Sequence, residues 1–303
     1  MKSVQVLTFC LLFLLPGIAR TQSGPASSNA PASSPKPPTA NQADSDLFQA
    51  LNDIDLGGVQ DFFTNVQQHF DDTNIFELGS LKEVAQRILP VLDEYEETEP
   101  YAIWLKAHLD DFDAAREIQR QIKAAPAQPA GPQRMAVLQR SIWVAELKKQ
   151  PWPPLAKTYL PKLKPIFVEE KVPAELVWVA DVESAFDPRA RSPAGAAGMF
   201  QLMPATARDE HLSLWPFDQR YQPEKSARAA AHYLHTLHQH YGDWPLALAA
   251  YNVGEGRVDK LLKEHKVHSF DAVARWLPSE TQMYVPKIAA TVLQREGRLL
   301  SDL

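Results

Sequence analysis

Glu183 is the residue of this 303-residue chain whose setting points most directly to chemistry. Pro173 is placed to open a helix and Asp187-Pro188 to stop it, and between them Leu176, Val179, Ala180 and Glu183 fall at spacings that share one helical face. A carboxylate in line with apolar side chains is disfavoured as an anion. Burial there raises its pKa and keeps it protonated near neutral pH, which is the state a general acid needs. If the helix is rotated, Glu183 is instead a solvated residue near a helix C-terminus, where negative charge is slightly unfavourable. The spacing alone leaves both readings open.

Four other groupings compete with it. His232, His235, His238 and His240 crowd one helix, but not at the His-Glu-x-x-His spacing of a zinc hydrolase. The only cysteine, Cys10, lies in a segment expected to be removed, so a thiolate metal site, a disulfide framework and a cysteine nucleophile are all excluded from the mature chain. We expect no metal and no cofactor. Gly254-Glu255-Gly256-Arg257 looks superficially like a phosphate loop, yet no Lys-Ser/Thr comes after it and no strand precedes it. Ser192 is not in a Gly-x-Ser-x-Gly elbow. The 7 Trp residues could be sugar platforms, although aromatic residues at helical spacing also build cores.

The elements that must position these residues read as helices. Apolar residues recur at helical spacing in Leu81, Val84, Ile88 and Leu92, in Trp104, Leu105, Leu109 and Phe112, and in Leu155, Tyr159, Leu163, Ile166 and Phe167. Pro223 opens an Ala-rich helix that Gly242 closes, Pro245 starts another, and a further run covers 279–296. No period-2 alternation of strand length appears after residue 44, so the fold class is mainly α. Residues 1–19 (Lys2, then the apolar run from Val4 to Leu15, then Gly17-Ile18-Ala19) read as an export signal. The run is short for a membrane span, with a retained anchor as the alternative. Cys10 sits inside it after bulky Phe9, a poor lipidation site. The Ser/Ala/Pro-rich stretch over 20–43 reads as a tether, 44–123 as an acidic helical region, 124–154 as a linker with one helix, and 155–303 as the chemical domain.

The formal net charge of -6 conceals an asymmetry. Residues 44–117 carry 18 acidic against 4 basic residues, and residues 118–303 carry 19 against 24. A basic half beside an acidic one suits an anionic polymer, nucleic acid or cell-wall glycan, and equally suits ordinary solvated surfaces.

Four ordered stretches narrow this. Glu183-Ser184-Ala185-Phe186, then the run from Ser192 to Ala207 (SPAGAAGMFQLMPATA), then Ala250-Tyr251-Asn252-Val253-Gly254, then the run from Glu280 to Lys287 (ETQMYVPK) together resemble the successive motifs of the lytic murein transglycosylases. The set is similar to the soluble-lytic-transglycosylase domain of glycoside hydrolase family 23, closest in flavour to the membrane-bound D type, over roughly Leu155 to Glu296. The resemblance implies a lysozyme-like, goose-type helical domain. It also implies cleavage of the MurNAc-GlcNAc β-1,4 bond of peptidoglycan without added water. Glu183 matches the family's catalytic acid; Ser192, Gln201, Met203, Tyr251, Asn252, Glu280 and Tyr284 would line the sugar cleft or steady the acid. Val253 and Phe200 are mild departures, and the sequence shows no C-terminal glycan-binding repeat of the kind common in the D type.

The resemblance makes peptidoglycan strands the expected partner, excludes nucleic acid, and places the exported chain in the periplasm or cell envelope. Two other readings remain: a goose-type hydrolase that uses the same acid with water, and a non-catalytic peptidoglycan-binding envelope protein. The acidic region, which peptidoglycan carboxylates should repel, is expected to bind an envelope protein or to pack beside the chemical domain rather than to hold substrate.

Overall fold

The computed structural model describes residues 56–94, 96, 98–124 and 132–303. The export signal expected over 1–19 and the tether over 20–43 lie outside the described residues. In chain order come α1 (Leu56–Asp71), the single turn α2 (Ile75–Leu78), α3 (Lys82–Glu94), α4 (Glu99–Ala124) and α5 (Pro132–Leu147). Next are α6 (Ala156–Glu169), α7 (Val179–Ser184), α8 (Pro204–Asp209) and α9 (Pro223–Tyr241). The last four are α10 (Trp244–Val253), α11 (Glu255–His265), α12 (Phe270–Val273) and α13 (Ser279–Glu296). Extended pairing among the described residues is limited to two isolated bridges, Arg191 with Ala197 and Ala197 with Leu202. The expectation of a mainly α chain is borne out.

Local chemistry accounts for several helix ends. Asn74 caps α2 by accepting from the Phe76 N–H, and Asp243 caps α10 by accepting from Leu246. Gly242 and Gly297 close α9 and α13 in left-handed conformations. Pro173 departs from expectation. It holds an extended conformation ahead of a tighter 3₁₀ turn, Ala174–Trp178, and the α-helix starts only at Val179. Leu176 is therefore on a different helical repeat from Glu183. Val179 and Ala180, four and three residues before Glu183, keep the apolar stripe.

Residues 61–303 form one compact unit, with no break between the acidic region and the chemical domain. The long acidic helix α4 packs against α3, against α5 and against α7, the helix that carries Glu183. The stretch over 124–154 contributes more than a link: α5 lies along α13 and buries Ile142 and Trp143. Hydrogen bonds tie α1 to the start of α13. Ser279 donates from its N–H to the Asp72 carbonyl (2.6 Å) and from its hydroxyl to the His69 carbonyl (2.5 Å), and Gln282 Nε2 donates to the Thr73 carbonyl (2.8 Å).

Charge complementarity works inward here. Lys287, buried on α13, donates to Asp110 Oδ1 (2.6 Å), Asp111 Oδ1 (3.2 Å) and the Ala107 carbonyl (3.1 Å), and its ammonium lies 5.0 Å from the centre of the Trp143 ring. Arg189 reaches Glu99 at 2.9 Å, and the Arg191 N–H donates to the Pro100 carbonyl. Part of the acidic region's charge thus neutralises the basic half of the same molecule.

A fragment starting at Arg134 tests this docking. It would leave the Lys287 ammonium without its aspartates, a loss of about 3–5 kcal/mol for a buried pair, and would bare the apolar surface that α4 covers. We expect such a fragment to aggregate or to lack a cooperative thermal transition. A soluble fragment with a sharp transition by circular dichroism would overturn this.

Candidate active site

Glu183 sits one residue before the end of α7, and the chain leaves that end through two left-handed residues, Ala185 (φ 51°) and Phe186 (φ 64°). Their N–H groups turn back to the Asp181 and Ala180 carbonyls, closing the helix as a glycine-free Schellman-type cap. Ser184 Oγ donates to the Met199 carbonyl at 2.8 Å and so ties α7 to the loop over 190–203. With 9% of its surface exposed, Glu183 accepts a 2.6 Å hydrogen bond at Oε1 from the Tyr284 hydroxyl of α13. Burial pushes its pKa from 4.5 up to about 8; the Tyr284 bond works against that rise, and the nearby charge of Glu280 adds to it. The carboxyl is neutral at pH 7, as the stripe suggested, although it is not partnerless. Oε2 makes no hydrogen bond among the described residues, which leaves it to carry the proton.

That loop forms the wall beside the acid. Ser192 starts a tight turn in which its Oγ accepts from the Ala196 N–H (3.0 Å) and Gly195 takes φ 92°. Gly198 takes φ 78°, and a Cβ there would lie 1.9 Å from the Arg220 carbonyl oxygen, so no side chain fits. Arg220 braces the loop, donating from Nη1 to the Gly195 and Leu202 carbonyls at 2.9 Å each while Asp218 holds its far edge at 2.8 Å. Gln201 donates to the Gly198 and Ala190 carbonyls through Nε2, and its buried Oε1 has no partner among the described residues. An orphan acceptor at a cleft is placed to receive a ligand N–H or O–H.

The opposite side comes from α10 and α13. Tyr251 donates to the Phe200 carbonyl at 2.7 Å. Asn252 donates to Glu280 Oε1 (3.0 Å) and accepts from Thr281 Oγ1 (2.6 Å), which fixes the amide. Burial raises the Glu280 carboxyl to about 6, opposed by the Asn252 bond.

These parts enclose a cleft of about 170 Å³ lined by Glu183, Ser192, Gln201, Met203, Tyr251, Asn252 and Glu280, together with Thr206 and Tyr233. Tyr284 is not on its surface and reaches the site through Glu183. A larger, open depression along α6 shares none of these residues. The histidines of α9 do not converge: His232 pairs with Glu210, His240 with Asp259, and His238 stacks on Trp244.

Sequence reasoning missed a whole wall. Phe63, Val66, Gln67 and Phe70 of α1, with Trp104 of α4, line the same cleft. The signal for it was present, because residues 63, 66, 67 and 70 fall at the i, i+3, i+4, i+7 spacing of one helical face.

Residues 168–273 match the family model of the Transglycosylase SLT domain. That stretch contains Glu183 and the cleft residues from Ser192 to Asn252, while the wall from α1 and α4, Glu280 and Tyr284 lie outside it. The chain is also 44% identical over 126 residues to membrane-bound lytic murein transglycosylase D of Escherichia coli strain K12, covering 40% of this chain and 28% of that protein. It is 36% identical over 121 residues to the soluble lytic murein transglycosylase of Salmonella typhimurium, covering 37% of this chain and 19% of that protein. The chain thus spans less than a third of the length of these relatives. Among solved structures, the 70 kDa soluble lytic transglycosylase Slt70 of Escherichia coli aligns over 84% of this chain and 42% of its own, at 19% identity and a TM-score of 0.42. The family resemblance read from the motifs is borne out over the matched region.

The raised Glu183 pKa has a consequence for stability. Between its ordinary value of 4.5 and about 8, the folded protein holds a proton that the unfolded chain releases, so stability falls as pH rises through that window. Glu183→Gln, which cannot ionise, should melt above wild type at pH 9 and no higher at pH 4. Equal melting temperatures at both pH values would place the carboxyl in water.

Proposed function

We propose that this chain is an exported lytic murein transglycosylase, with a lysozyme-like catalytic domain that cleaves the MurNAc-GlcNAc β-1,4 bond of peptidoglycan and leaves 1,6-anhydro-MurNAc ends. The observation that carries the reading is the cleft-facing Glu183 carboxyl, buried and hydrogen-bonded to Tyr284, within the stretch that matches the SLT domain. The two relatives, both lytic murein transglycosylases by name, support the substrate class.

In this mechanism Glu183 gives its proton to the glycosidic oxygen as the C1–O bond breaks, and the sugar's own N-acetyl group relieves the positive charge at C1. The resulting carboxylate takes the proton of the C6 hydroxyl while O6 bonds to C1. Glu183 ends protonated, ready for another turn. Intramolecular closure outruns attack by water because O6 is held beside the anomeric carbon. Tyr284 fixes the orientation of the acid, and the orphan Oε1 of Gln201 is placed to accept from a substrate amide or hydroxyl. An envelope protein partner for the outward-facing acidic residues, such as Glu94, belongs to the same proposal.

Glu280 favours a second reading. It is a carboxyl in the same cleft with a pKa near 6, and it could activate water as a base in a hydrolase. Mass spectrometry of digested sacculi separates the readings: anhydro ends identify the lyase, reducing ends the hydrolase, and intact sacculi a binding protein. Glu183→Gln should retain less than about 1% of wild-type cleavage, because the amide keeps the shape and cannot supply the proton. Wild-type activity should hold below about pH 8 and decline above it as the acid ionises. A profile still climbing at pH 9 would exclude Glu183 as the acid.

A further inference from the structure

Charge alone would keep the acidic region out of substrate binding, yet the cleft is closed on one side by its residues. Phe63, Val66, Gln67 and Phe70 form one stripe of α1, and Trp104 of α4 continues it. Packing alone accounts for the apolar members: the Phe63 and Trp104 rings lie 6.2 Å apart, as do those of Phe70 and Trp104, and all are buried. It does not account for Gln67. This amide is half-buried among them, lines the cleft, and makes no side-chain hydrogen bond among the described residues. Its polar atoms are not sealed from water and are not held by the protein, so a ligand group entering the cleft can take the place of water there.

The wall is also held in register with the chemistry. Ser279 and Gln282 bond to the carbonyls of His69 and Thr73 at the end of α1, and the same helix α13 carries Glu280 and Tyr284. The stripe and the residue that orients Glu183 are thus tied to the same helix.

Taking the proposed activity as given, we infer that this stripe is a binding subsite for an N-acetylated sugar of the glycan strand. The 7% of Phe63 and of Trp104 that stays exposed meets its apolar ring face or acetamido methyl, and the Gln67 amide hydrogen-bonds its hydroxyl or acetamido group. Few polar groups set in an apolar wall fix the orientation of a ligand without repelling it. The acidic residues of the region take no part, since the cleft-lining members of α1 and α4 are all uncharged.

The probe is tetra-N-acetylchitotetraose, titrated by calorimetry into the full chain carrying Glu183→Gln so that no turnover occurs. Adding Gln67→Ala should weaken binding about fivefold to tenfold, the loss of one hydrogen bond to a neutral ligand. Adding Gln67→Trp instead, which fills the stripe, should weaken it by at least about tenfold. Both should leave the melting temperature within a few degrees, because Gln67 contributes no hydrogen bond to the fold. Equal affinity in all three proteins, or no binding to any, overturns the subsite. The two levels fail separately: sacculi left intact by the wild-type chain, with affinity still lost in the Gln67 variants, would sink the enzymatic reading and leave the subsite standing.

Discussion

The structure depends on keeping one carboxyl out of water while leaving it a face on a cleft. Burial alone would lift Glu183 far from its ordinary range, and the Tyr284 hydroxyl and the distant positive charge of Lys287 restrain that rise, whereas Glu280 and Asp111 oppose them. The balance leaves the group protonated at neutral pH and still able to ionise. The contributors come from three helices: α7 presents the acid, α13 carries Tyr284, Glu280 and Lys287, and α4 carries Asp111. Moving any of these helices changes the proton affinity of the site.

Lys287 shows how the two halves share charge. A lone buried ammonium would be costly, and two adjacent aspartates on α4 with one carbonyl satisfy its three donors. Burial raises the Asp111 carboxyl, Lys287 works against that rise, and the charges of Asp110 and Asp111 hold Lys287 above its usual value despite burial. The acidity of residues 44–117 is in this respect a structural requirement of the basic half as much as a surface property.

Elements with local signals were legible in the sequence. Helices α9 and α13 have the expected bounds because Pro223, Gly242 and Gly297 mark their ends through backbone geometry that needs no tertiary partner. The burial of Glu183 was legible for the same reason, from Val179 and Ala180 on its own helix. The 3₁₀ turn after Pro173 was not, because periodicity cannot separate three residues per turn from 3.6 over five residues. Helix α5 was legible as the one helix within 124–154, whereas its place in the core was not: only its packing on α13 shows why Trp143 is buried. Least legible was the wall from α1. Its stripe is visible in the sequence, but facing it toward residues some 120 positions later is a property of long-range packing.

That wall bears on the choice between an internal nucleophile and water. If the reaction proceeds as proposed, O6 must reach the anomeric carbon before a solvent molecule does. A site lined on one side by Phe63, Val66, Phe70 and Trp104 offers water a hydrogen-bonding side chain there only at Gln67. The polar groups of the cleft are mostly committed to the protein: Tyr251 to Phe200, Asn252 to Glu280 and Thr281, Ser192 to Ala196. Glu280 is the one carboxyl left that could hold a water, and its Oε1 already accepts from Asn252. Water nevertheless has free polar positions in the cleft, at the Gln67 amide, at Gln201 Oε1 and at the second oxygen of Glu280, so the outcome turns on which of these the bound glycan occupies.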